Sequence, residues 1–371
     1  MDEPRKIVLI LGNGFDLDLK LPTSYKDFWE STFCPKDYPA PLIRHLNSKW
    51  SDDLKSVRWY DLENELLEYA LHGDKTDVVN KAERDYVLNK SDYQINVDLR
   101  FFGVRDEFYS LAEKGYIKHD RYFPDSASVP YRDDFSLTTQ IRDKKAFQLI
   151  KEGLCKYLTS VDKPITESLR VASHLLLSMT KCAMNGDAVD IYTFNYTQVQ
   201  MQGGSMDIIP VHYMHGSCEE GKIIVGTRDG IPIVPEYDFL QKIMDDSFRP
   251  PDISSDLDNA DEVIIFGHSL GENDRQYFEQ FFSKQTHSDT LNQPYIIIFT
   301  RDSNSKIEIK RSLKSLTGDH LSLLYSVNQP IIIRTGELKE DQKLFFDFLV
   351  SHHTEKHYAS EVIGKLLNRS S

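Results

Sequence analysis

The chain opens on an unbroken apolar run, Lys6-Ile7-Val8-Leu9-Ile10-Leu11, closed by Gly12. A strand that is apolar at every position, not at alternate ones, is usually covered on both faces, as in parallel α/β sheets. Comparable runs recur late, at 189–194, 208–214, 223–225, 263–266, 295–300 and 331–333. Amphipathic stretches at 275–283 and 342–350 alternate with some of them. Strands separated by helical patterns predict a doubly wound sheet.

The middle differs in kind. From about 25 to 185 the pattern is helical. Residues 59–67 open one helix, Phe147, Ile150, Leu154, Tyr157 and Val161 mark a second, and Ile165, Leu169, Ala172, Leu176, Met179 and Ala183 a third, at spacings of three to four. Residues 85–142, rich in charge and tyrosine, read as loops with short helices. The expectation is an α/β protein with a mostly parallel, Rossmann-like sheet whose first strand is severed by a large helical insertion. The core spans 1–24 and 186–371, and the insertion 25–185. There is no internal repeat, and the polar tail after Ser351 is expected to fray.

Composition narrows the class. With 40% hydrophobic and 27% charged residues, the 371-residue chain is globular, not disordered or fibrous. The 44 basic residues against 58 acidic give a net charge of −14. That surface repels phosphate backbones, so no direct nucleic-acid or anionic-membrane binding is expected. No apolar run approaches the roughly 20 residues of a membrane helix, and the N-terminus lacks the basic start and cleavage site of a secretory signal. Cys34, Cys155, Cys182 and Cys218 stand far apart without a Cys-x-x-Cys pair. This fits a reducing cytoplasm and supports neither a disulfide framework nor a thiolate zinc module, so no metal is expected.

Ligands of open α/β sheets bind at the carboxyl ends of the strands, and four polar clusters follow strands here. Gly12-Asn13-Gly14-Phe15-Asp16 is a glycine turn whose amides, ahead of a helix, suit phosphate. It is neither Gly-x-Gly-x-x-Gly nor an ATPase loop, since Leu17 stands at the third glycine and no Lys-Ser/Thr follows. Thr193-Phe194-Asn195-Tyr196-Thr197 offers an asparagine that either satisfies local backbone or orients a ligand. In Val211-His212-Tyr213-Met214-His215-Gly216, the histidines face opposite sides of a strand, which excludes a two-histidine metal site. His215 sits at the strand end. The fourth cluster is Gly267-His268-Ser269-Leu270-Gly271, followed by Asp274, which reads equally as a helix cap or a ligand contact. It formally matches the Gly-x-Ser-x-Gly nucleophile elbow, with Asp302, His352 and His353 in the order of a serine-hydrolase triad.

Taken together, the clusters resemble the AbiH family of bacterial abortive-infection (anti-phage) proteins. The resemblance runs from Leu9–Leu17 through Leu21–Tyr25, Trp59-Tyr60-Asp61-Leu62-Glu63, Phe194–Thr197 and His212–Gly216 to Gly267–Leu270. That family is in turn distantly similar to the sirtuin-type NAD-binding fold. By position, the sirtuin glycine turn corresponds to Gly12 and Gly14, its asparagine to Asn195, its histidine to His215, and its Gly-x-Ser strand end to Gly267 and Ser269. The chain departs from that pattern at Asp16, where a small residue is usual, and at Thr197, which replaces an acid.

The resemblance implies an anti-phage effector that binds and hydrolyses NAD, or a related small-molecule nucleotide, at its N-glycosidic bond, under a phage-derived trigger. Asn195 and His215 would be catalytic, the former orienting a water or the ribose and the latter acting as general base or holding a ribose hydroxyl. Gly12, Asn13, Gly14, Phe15, Asp16, Thr193, Gly267, Ser269 and Asp274 would line the nucleotide site, with the Gly12–Gly14 amides on the pyrophosphate. Asp61 and Glu63 read either as residues reaching the site from the insertion or, the commoner case, as solvated helix charge. A serine hydrolase acting through Ser269 and a non-catalytic nucleotide sensor are the alternatives. The oligomeric state is left open, a homo-oligomer included.

Overall fold

In the computed structural model, residues 4–50, 61–72, 131–161, 170–199, 208–288 and 292–368 are described, with side chains of the 131–161 segment from Gln140 onward. The chain enters through β1 (Lys6–Leu11), then α1 (Asn13–Asp18), α2 (Tyr25–Glu30), α3 (Pro41–Lys49), α4 (Leu62–His72), α5 (Tyr131–Ser160) and α6 (Val171–Met184). There follow β2 (Ala188–Thr193), β3 (Val211–Tyr213), β4 (Gly216–Ser217), β5 (Lys222–Ile223), α7 (Ile253–Asp258), β6 (Glu262–Phe266), α8 (Arg275–Lys284), β7 (Tyr295–Thr300), α9 (Ser303–Leu316), α10 (Leu321–Val327), β8 (Ile331–Arg334), α11 (Leu338–Ser351) and α12 (Lys356–Leu367).

Six strands form one sheet in the order β3-β2-β1-β6-β7-β8, every pair parallel. The unbroken apolar character of β1 has its explanation here. Ile7, Leu9 and Leu11 join one core with α6, α11 and α12, while Val8 and Ile10 join another with α7, α8, α9 and α10. Helices cover both faces, so each strand position meets apolar side chains. A third core lies off the sheet: Phe28, Trp29, Leu46, Leu66, Tyr69 and Ile150 of α2–α5 pack with Ile223, Tyr237 and Leu240.

Several expectations need correction. Ile223 is not a sheet residue: β5 pairs antiparallel with β4 in a separate two-stranded ribbon. Gly216, at φ +70, turns the chain out of the sheet's plane, a left-handed conformation that favours glycine. Residues 131–142 belong to the 30-residue helix α5 and not to loops. Over its described residues the tail is helical, and α12 buries Ala359, Val362, Ile363 and Leu366 in the core beneath the sheet. Trp59, Tyr60, Ile165, Leu169 and residues 85–130 lie outside the described residues. Also, α6 packs on the sheet through Val171, Leu175 and Met179, so the layer covering the sheet begins before residue 186.

Register fixes the edge that matters. Leu11 is level with Thr193 on one side and Phe266 on the other, and Thr193 is level with Tyr213. The residues that leave β1, β2, β3 and β6 therefore emerge side by side.

Candidate active site

The glycine turn after β1 is shaped by its neighbour strand. Gly12 N–H donates to the Phe266 carbonyl at 3.0 Å and Gly14 N–H to the Gly267 carbonyl at 2.9 Å. A Cβ on Gly12 would stand 2.5 Å from His268 Cα, and one on Gly14 2.6 Å from Gly267 Cα. The repeat is required because two strand ends are in backbone contact. Both amides expected to face a pyrophosphate are thus already donating within the protein. Asn13 accepts from the Thr23 hydroxyl at 2.7 Å. Phe15 lies in the core, its ring edge-on to Phe266 at 5.6 Å.

Beside this turn, Asn195 Nδ2 donates to the Gly12 carbonyl at 3.1 Å, and its own N–H donates to Thr193 Oγ1 at 3.1 Å. Thr197 Oγ1 donates to buried Asp16 Oδ2 at 2.6 Å. An acid at 197 would face the Asp16 carboxylate.

The largest concentration of buried charge lies one strand over. His215, just past β3, is 3% exposed. Its Nε2 stands 3.0 Å from Asp274 Oδ1 and 3.2 Å from Lys242 Nζ. Lys242, 1% exposed, also contacts Asp274 Oδ1 and Glu63 Oε1, each at 3.2 Å. The second Asp274 oxygen is 3.3 Å from His268 Nε2. Because His268 Nδ1 accepts from Leu270 N–H at 3.0 Å, the Nε2 proton points at the carboxylate. Phe194 walls the group, its ring 4.3 Å from His268 and 5.3 Å from His215. His215 Nδ1 is buried and, among the described residues, has no hydrogen-bond partner.

Asp274 occupies the N-cap position of α8, yet its side chain makes no capping bond. Its carboxyl is given over to the cluster. Glu63, its side chain 12% exposed, is drawn into an ion pair with Lys242, so of its two readings reach from the insertion holds and solvated helix charge does not. Burial and then the neighbouring Asp274 and Asp61 carboxylates push Glu63 up to about 7, against the pull of Lys242. Burial also pushes Asp61 up. Asp274 is held well below the usual carboxylate range: burial opposes ionisation, but the Lys242 charge and the bonds from both histidines outweigh it. Burial lowers His215, and Lys242 lowers it further, so the imidazole is neutral. Lys242 is raised, because its two acids outweigh burial.

This geometry sits on a chain of recognisable kinship. A family model, Bacteriophage abortive infection AbiH, matches residues 8–292. The chain belongs to the AbiH family. Neither curated proteins nor solved structures gave a match. Every residue of the cluster in this AbiH protein, from Glu63 to Asp274, falls inside the matched span.

The Ser269 alternative fails on placement. Ser269 is exposed beyond the carboxyl end of β6, and the positive φ angles fall on Gly267 and Leu270. The helix that follows starts at Arg275, not at the serine. His352 contacts Glu262, the first residue of β6, at 3.1 Å. It is therefore a strand length of about 13 Å away at the other edge. His353 pairs with Asp187, at the strand-entry end, and Asp302 caps α9. No triad assembles.

Lys242 escaped the sequence reading altogether. The signal available was an inversion of polarity: Lys242 is buried while Ile243 and Met244 beside it are 51% and 57% exposed. Among the described residues, no helix is long and apolar enough to cross a membrane.

Proposed function

We propose that this AbiH protein acts in abortive infection by hydrolysing NAD, or a related nucleotide, at its N-glycosidic bond, with His215 and Asp274 as the catalytic pair. The observation that carries the reading is His215 Nδ1, a buried ring nitrogen without a partner whose ring is held from the other side by an ionised carboxylate. With Nε2–H donated to Asp274, Nδ1 presents a lone pair, the arrangement of a general base. The C–N bond breaks with its electron pair going to the cationic ring, so nicotinamide leaves neutral and the ribose carbon becomes oxocarbenium-like. Water adds to that carbon and gives its proton to neutral His215, and Asp274 balances the imidazolium formed.

Support for a nucleotide comes from placement. Counting only sheet strands, the order is 3-2-1-4-5-6, the order of doubly wound dinucleotide-binding sheets, whose ligands lie at the carboxyl edge where the winding reverses. That reversal falls between β1 and β6, where Gly12, Gly14, Gly267 and His268 meet. The sirtuin-type correspondence involves the same edge. Purified protein incubated with NAD should release nicotinamide, and His215→Ala and Asp274→Asn should not; equal release by all three would reject the pair.

A further inference from the structure

His45 on α3 and Glu65 and Glu68 on α4 face one another across a helix pair away from the sheet edge. Glu65 and Glu68 are three apart and share a helix face, as do His45 and Lys49, four apart. One ligand atom from each of His45, Glu65 and Glu68 lies within 4.8 Å of the other two. His45 Nε2 and Glu65 Oε2 are 3.4 Å apart. Both atoms are buried, and among the described residues neither makes a hydrogen bond. The His45 side chain is 7% exposed.

A buried imidazole nitrogen and a carboxylate oxygen that approach without bonding leave each other unsatisfied, which is unfavourable unless a third group joins them. Two ligands about 2.1 Å from a tetrahedral zinc stand roughly 3.4 Å apart, the separation found here. Lys49 Nζ now supplies the positive charge, 2.6 Å from Glu68 Oε2 and 3.7 Å from Glu65 Oε2. Its side chain is 23% exposed at the last residue of α3, on a flexible stem that reaches solvent. We infer that His45, Glu65 and Glu68 form a binding site for a divalent transition-metal ion of the zinc or manganese class, which displaces Lys49.

One imidazole with two carboxylates suits such ions better than calcium or magnesium, which favour all-oxygen sets. The site pins α3 to α4, the helix that delivers Glu63 to Lys242. No ligand spacing announces the site in the sequence, because its ligands lie on two separate helices. A second group, Cys182, Asp187 and His353, also meets the distance criterion. There Arg5 bonds both Asp187 and the Cys182 sulfur, so a fixed guanidinium fills the position.

The test is calorimetric titration of chelator-treated full-length protein with Zn2+ and, separately, Mn2+, alongside thermal shift. At least one ion should bind the wild type with one-to-one stoichiometry and raise the melting temperature. His45→Ala and Glu68→Gln should weaken binding roughly tenfold or more. Lys49→Ala, which removes the competing cation from a partly exposed position, should tighten it, and Cys182→Ser should leave it unchanged. Circular dichroism verifies folding, and Glu68→Gln and Lys49→Ala keep the test valid if His45→Ala does not fold. The inference is overturned if neither ion binds the wild type, if Glu68→Gln binds as well as wild type, if Lys49→Ala fails to tighten binding, or if Cys182→Ser abolishes it.

Discussion

Asp274 Oδ1 lies 3.0 Å from His215 Nε2, although the two residues are separated by 59 positions and arrive from different strand ends. The carboxylate fixes the ring while the far nitrogen stays unpaired. Asp274→Asn preserves shape but removes the charge that holds the Nε2–H tautomer and balances an imidazolium. Nicotinamide release should fall about 10²–10⁴-fold, the usual contribution of a positioned acid–base group. The melting temperature reports separately on any loss of fold.

Lys242 is the buried cation that keeps Asp274 ionised. Lys242→Met leaves Asp274 and Glu63 facing each other without a counter-charge. Breaking a buried pair on one side costs about 3–5 kcal/mol. Denaturant unfolding should show a loss of that size, and Lys242→Met with Asp274→Asn should lose less than the two single changes summed. Strict additivity would mean that the three-way contact has no energetic weight.

Glu63 gives a signature in pH. Its carboxyl rises from an ordinary 4.5 to about 7 in the folded protein, through burial first. The folded state therefore holds the proton more tightly than the unfolded state. Glu63 adds stability that is complete below pH 4.5 and is lost as pH climbs through 7. Relative to wild type, Glu63→Gln should lift the slope of unfolding free energy against pH in this window by up to about 1.4 kcal/mol per unit. Parallel curves would place the titration elsewhere.

Gly14 tests the strand-end contact independently of chemistry. The added methyl of Gly14→Ala would meet Gly267 Cα at 2.6 Å, backbone against backbone. A loss of about 1–3 kcal/mol is expected from such overpacking. Gly364→Ala in α12, whose Cβ meets nothing within 4 Å, should instead gain about 1 kcal/mol from the helix preference of alanine over glycine.

The sheet was legible from sequence because strands covered on both faces must be apolar throughout, and that pattern survives without any contact information. Five of the six sheet strands match the apolar runs closely; the run at 208–214 yields only a three-residue strand. Strand ends were legible too, since Gly12, Asn195, His215 and His268 each follow a run directly. Lys242 and Glu63 were not. Their burial depends on pairing between segments about 180 positions apart, and single-chain periodicity reads a charged residue as solvated. The ribbon β4–β5 was misread for a related reason: a short apolar run states that it is buried, not against what. The helix α12 shows the converse, with four buried positions spread through a polar stretch.

The most direct measurement is NAD in phage-challenged cells that carry either the wild-type protein or His215→Ala at equal abundance. The proposal predicts that NAD falls and nicotinamide rises after infection with the wild type, and that both stay level with the variant, which no longer halts the phage. Phage arrest by the wild type with NAD unchanged, or equal NAD loss in both strains, would contradict it.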